Sequence, residues 1–212
     1  VPTTDDLFEA IAEGDRATID AIGRADPSLL ATQRDGVGVV RSALYHGHPE
    51  VVAELRALGA PADAFDLAAL GDAAALRDLL DEDGSLATAV SGDGYTALHL
   101  AAWFGQDKAA EVLLARGADP EAVATNGTGL RPLHSAAAAG HAVIAHLLLD
   151  RGADIEAVQD GGVRALHSAA HRNDLAMVEV LLGRGADPSA TTDDGRTPRD
   201  LATDPAVLAL LT

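Results

Sequence analysis

The chain of 212 residues carries a formal net charge of -18 and is 48% hydrophobic but only 3% aromatic, with no cysteine. The absence of cysteine excludes a disulfide framework and any Cys-ligated zinc or iron–sulfur centre, and the acid excess disfavours nucleic acid and anionic membrane surfaces, both of which are bound through Lys and Arg. An apolar share supplied largely by Ala suits closely approaching helices, whereas the strands of a β-sandwich favour β-branched and aromatic residues.

The first residues, Val1-Pro2-Thr3-Thr4-Asp5-Asp6, are acidic and lack the apolar stretch of a signal peptide. No later run reaches the roughly 18 apolar residues of a membrane span, so a cytoplasmic protein is expected. Lys108 is the only lysine against fourteen arginines. Together with the Ala excess, this skew is expected of a GC-rich bacterial source.

The predicted elements form helix–turn–helix units of one period, at about 5–34, 35–61, 62–91, 92–125, 126–158, 159–191 and 192–212. The first opens with Asp5, Asp6, Glu9 and Glu13, the polar face expected of a terminal unit. Aligning Gly47 with Gly105 makes the second a drifted copy of the fourth, and the third lacks a full hairpin before its first helix. In the fourth, Thr96 is a good N-cap, helix A runs to about Phe104, and Gly105 supplies a left-handed C′ position. Helix B follows from about Asp107, with Val112, Leu113 and Leu114 apolar, and stops at Gly117. Gly14, Gly47, Gly71 and Gly140 take the slot of Gly105, and Asn173 takes it in the sixth unit. Asp93-Gly94, Asn126-Gly127 and Asp194-Gly195 are turn signals between units.

The repeat is explicit in the second half. Thr96-Ala-Leu-His-Leu-Ala-Ala102 recurs as Arg131-Pro-Leu-His-Ser-Ala-Ala137 and as Arg164-Ala-Leu-His-Ser-Ala-Ala170, with the histidines 35 and then 33 residues apart. Gly117-Ala-Asp119, Gly152-Ala-Asp154 and Gly185-Ala-Asp187 keep those spacings, and Thr197-Pro-Arg-Asp-Leu-Ala202 begins a last, shortened copy. These residues resemble the ankyrin repeat. The departures are Arg131 and Arg164 in place of Thr, two extra residues near Thr128-Gly129, and Pro205-Ala206 in place of the last turn.

The resemblance implies an all-α ankyrin-repeat solenoid of about seven helix–turn–helix units, a single domain over 1–212 with hairpin tips and a concave groove. It further implies a protein–protein interaction module whose groove receives the two residues before each helix-A glycine. Those positions hold Tyr45 and His46, Trp103 and Phe104, Ala138, and His171 and Arg172; Tyr95 and Leu130 at the hairpins complete the candidate binding set. Trp, Tyr and Arg dominate binding hot spots. The alternative is that Trp103 and Phe104 only pack against neighbouring repeats.

His99, His134 and His167 would form a row in stacked repeats, but the family's motif histidine bonds to the N-cap and to neighbouring backbone, so no metal and no cofactor is expected. His141 and His146 lie five apart on helix B, off the four-residue spacing of paired ligands. No phosphate loop, nucleophile elbow or H-E-x-x-H motif is present, and no catalytic residue is assigned. The expected partner is a protein with a basic surface, bound by a monomer. A second function class, a small-molecule binder or enzyme of a biosynthetic pathway, would use Tyr45, His46, Trp103, His171 and Arg172 in the same groove.

Overall fold

The computed structural model describes residues 1–212. Fourteen α-helices follow one another in seven pairs. The first three pairs are α1 (Thr4–Glu13) with α2 (Arg16–Ala25), α3 (Val39–Tyr45) with α4 (Pro49–Ala57), and α5 (Ala64–Leu70) with α6 (Ala73–Glu82). The fourth and fifth are α7 (Ala97–Phe104) with α8 (Asp107–Ala115) and α9 (Pro132–Ala139) with α10 (Ala142–Asp150). The last two are α11 (Ala165–His171) with α12 (Leu175–Gly183) and the short α13 (Pro198–Leu201) with α14 (Pro205–Leu210). The odd-numbered helices pack side by side in one row and the even-numbered helices in another, which is loose between α4 and α6. The fold is therefore the all-α solenoid that the repeat implies.

Local chemistry sets the boundaries. The Thr96 hydroxyl accepts from the His99 amide at the start of α7, and Gly105 ends that helix at φ 74, a conformation a Cβ would resist. Each pair buries its apolar stripe against its neighbours: Leu98, Leu113, Leu133, Ile144 and Leu148 are almost fully enclosed. Ala101, Ala102, Ala136, Ala137, Ala169 and Ala170 line the contacts between odd-numbered helices, where small side chains let backbones approach.

The third residue of each odd-numbered helix defines a second row. It holds Asp6, Arg41, Asp66, His99, His134, His167 and Asp200 in turn. The five inner members are buried, with Arg41 at 0% exposure. All three histidines carry their rings in one way. The N-cap residue's amide donates to Nδ1, from Thr96, Arg131 and Arg164 at 3.3, 3.1 and 3.2 Å. The opposite nitrogen, Nε2–H, then donates to a backbone carbonyl further along the chain: Leu130, Ala157 and Ala190 at 3.1, 3.0 and 3.1 Å. His141 departs from its expected place within helix B. It is the N-cap of α10, and its ring reaches back to the Trp103 carbonyl at 3.1 Å.

Extended structure is sparse. The connections before α7 and α11 hold only isolated bridges, Val90 with Thr96 and Gln159 with Val163. The single two-stranded ladder, β1 (Gln33–Arg34) with β2 (Val37–Gly38), lies before α3. Its turn is Asp35-Gly36, both at positive φ, a hairpin signal of the same kind as Asp93-Gly94. Successive tips are joined by backbone bonds: Thr125 N–H to Gly94 O, Asp160 N–H to Thr128 O and Asp193 N–H to Gly161 O, each 2.9 Å. Before α5 there is no strand, as the short third connection implied. The tips on either side close over this gap, and Gly36 and Gly92 meet backbone to backbone.

Candidate functional site

A cavity of about 310 Å³ opens over that gap. Leu44 and Tyr45, at the end of α3, form one wall. Tyr95, before the N-cap of α7, and His99, Leu100, Trp103 and Phe104 of α7 form the opposite side. Leu130 and Ser135 close it from the fifth pair. The α7 residues fall on one face because helical neighbours recur at spacings of three and four. No residue of α5 lines the cavity. The third pair has no hairpin and presents Ala69 where its neighbours carry rings, so side chains of the second and fourth pairs meet across it. Tyr45 and Phe104 stack with ring centroids 6.1 Å apart and planes 14° from parallel.

Hydrogen bonds fix the walls. The Tyr45 hydroxyl donates to Asp93 Oδ2 at 2.7 Å, and the Ser91 hydroxyl donates to Asp93 Oδ1. Burial, and then the Asp93 carboxylate, push the Tyr45 phenol far above its usual range, so it stays a neutral donor. His99 is committed on both ring nitrogens, to the Thr96 N-cap and to the Leu130 carbonyl. Burial lowers its pKa, so at neutral pH it is an uncharged strut. Trp103 differs: its backbone is held by His141, yet the residue is 49% exposed, and Tyr45 is 40% exposed.

Of the sequence-derived candidates, Tyr45, Tyr95, Trp103, Phe104 and Leu130 share this cavity. His46, Ala138, His171 and Arg172 do not line it. His46 caps α3 and its Nδ1 lies 2.8 Å from the Ser42 carbonyl, turned back onto its own helix. His171 and Arg172 are exposed at the end of α11, two pairs further along. The His, Tyr and Arg side chains expected of a small-molecule binder or enzyme are thus not assembled in the cavity, and Tyr45 is tied to a carboxylate. Leu44, His99, Leu100 and Ser135 line the cavity without having been singled out for it. His99 and Leu100 were recoverable, each one helical turn before a chosen ring; Ser135 occupies the Leu100 position of the next repeat. Asp93, a turn residue by its sequence, also holds the Tyr45 hydroxyl at the rim.

The arrangement offers apolar and aromatic surface, one carboxylate held at the rim and two hydroxyls, of Tyr95 and Ser135. It can bind by burial and π-face contacts. A protein-family model described as ankyrin repeat matches residues 93–125 and 128–160, and a second, described as ankyrin repeats in many copies, matches residues 148–202. No curated protein matches the chain by sequence.

Proposed function

The chain belongs to the ankyrin-repeat family, and from that membership we propose that it is a protein–protein interaction module seating its partner across α3, α7 and α9, with Trp103 as the anchor. One observation carries this reading. The chain has six aromatic residues, and four of them line one open cavity, with Trp103 half exposed. A ring whose task is packing would be enclosed as Leu98 and Leu133 are. The seven pairs act as one domain and a cytoplasmic monomer. The net charge of -18 draws a partner with a basic surface and repels acidic ones.

The test is Trp103→Ala, examined in a denaturant melt and against a partner recovered with the wild-type protein. The fold should be nearly unchanged, and partner affinity should fall by about 2 kcal/mol or more. A loss of several kcal/mol in stability with wild-type binding by the folded fraction would contradict the reading.

The size and aromatic lining of the cavity favour a second reading, capture of a small molecule, since ligand pockets begin at about 300 Å³. Its catalytic form has no support in the placement of His46 and His171.

A further inference from the structure

We propose that the cavity receives a small organic cation with a quaternary ammonium head, a proposal that rests on the small-molecule reading. Four features converge on this chemistry. The walls carry Tyr45, Tyr95, Trp103 and Phe104, and aromatic faces attract cations through the ring quadrupole, most strongly when the cation is desolvated. Asp93 is fixed beside them, bonded to the Tyr45 hydroxyl. The chain as a whole is strongly acidic. Finally, the acceptors nearest the rings are already engaged, leaving the Tyr95 and Ser135 hydroxyls.

That last feature selects among cations. A Lys or Arg head brings three or five N–H donors that must all be satisfied on burial. Here both Asp93 oxygens already accept from hydroxyls, the His99 nitrogens are engaged, and the Leu130 carbonyl is taken by His99. A guanidinium or ammonium must therefore share the Asp93 oxygens with those hydroxyls or turn to the Tyr95 and Ser135 hydroxyls. A quaternary ammonium has no N–H to satisfy, and its methyl groups are suited to ring faces. The one cation acting on Tyr45 from the protein side, Arg41, is fully buried, donates to the Gly36 carbonyl at 2.9 Å and lies 5.3 Å from the Phe65 ring centre.

Trp103 is the only tryptophan, so its fluorescence reports directly on the cavity. The intact protein is titrated with choline and, in parallel, with 3,3-dimethylbutan-1-ol, its neutral carbon isostere. Choline should perturb the emission saturably and bind at least about tenfold more tightly than the isostere, a factor that several cation–π contacts in a partly enclosed site support. Asp93→Asn keeps an acceptor for Tyr45 and should weaken choline severalfold while leaving the neutral probe unchanged. Phe104→Leu, checked by melting, should weaken choline more than the isostere. Equal binding of the two probes would overturn the cation while leaving the small-molecule reading intact, and binding of neither would overturn both. A short peptide carrying trimethyl-lysine that binds more than about tenfold more tightly than choline would overturn the small-molecule source in favour of a protein one.

Discussion

His134 shows how one side chain ties neighbouring repeats. Its ring bonds to the Arg131 amide and the Ala157 carbonyl, and burial lowers its pKa from 6.5 to about 4. The folded state therefore resists a proton that the unfolded chain accepts. The sign follows: stability from this group is full above pH 6.5 and is lost as pH falls toward 4, by up to about 3 kcal/mol. Burial shifts His99 and His167 in the same direction, whereas burial raises Asp66, whose contribution runs the opposite way. His134→Ala should cost about 2–3 kcal/mol at pH 7, because it leaves buried backbone groups unpaired. Denaturant melts at pH 7 and pH 4.5 should show the gap between wild type and variant narrowing on acidification. A gap that widens or stays constant would contradict the neutral-strut assignment. The motif histidines were legible in the sequence as structural residues, and the loss of the N-cap hydroxyl at Arg131 and Arg164 was visible as a problem. Its solution was not. Each arginine donates to a carbonyl 27 residues ahead, Val158 for Arg131 and Thr191 for Arg164, at 3.1 Å. Each also pairs with a glutamate of the loops, Glu121 at 3.2 Å and Glu156 at 3.0 Å. Those glutamates accept the Asp154 and Asp187 amides in turn. Each such clamp ties a repeat to the one before it and leaves no mark at any local spacing. The burial of Arg41 and Asp66 was equally hidden, because both are charged residues in the slot that histidine fills elsewhere.

Helix ends were readable because glycine and N-cap chemistry act locally. The end of α7 at Phe104, the start of α8 at Asp107 and the left-handed Gly14, Gly47, Gly71, Gly105, Gly140 and Asn173 all follow from residue type. The shortened third connection was readable too, but its consequence was not, since that lies in a contact between tips on either side of it. Gly36 and Gly92 provide the test. A Cβ on Gly36, at φ 75, would collide with the Gly92 backbone, whereas a Cβ on Gly117, at φ 89, would meet open space. Both Gly→Ala changes incur the left-handed penalty of about 1–2 kcal/mol. Gly36→Ala should cost at least about 1 kcal/mol more, because backbone has to move as well. Equal costs in denaturant melts would show that the second and fourth tips do not press together.

The same gap divides the apolar interior. One core cluster ends at Ala60 and the other begins at Ala64. The helices α4 and α6 make little contact, unlike the other successive even-numbered helices. Into this junction the chain places Arg41 and Asp66, each with a buried polar atom that finds no protein partner. What spans it on the exposed side is the Tyr45–Asp93 bond, the Tyr45–Phe104 stack and the Gly36–Gly92 contact. The notch left by the third repeat thus accounts for both the weak packing and the aromatic cavity, and no helix elsewhere is long and apolar enough to cross a membrane. About half of the candidate site was legible because rings beside helix-A glycines share a face; His46, Ala138, His171 and Arg172 fall outside the cavity because that rule fixes position along the stack and not membership in one cavity. The direct measurement is site-specific photo-crosslinking in lysate of the source cells, with p-benzoylphenylalanine at Tyr95 on the cavity wall or at Val143 on α10, which is 67% exposed. A discrete adduct with one partner is expected from position 95 and none from position 143. An adduct that forms from position 143 while position 95 stays unmodified would contradict this expectation.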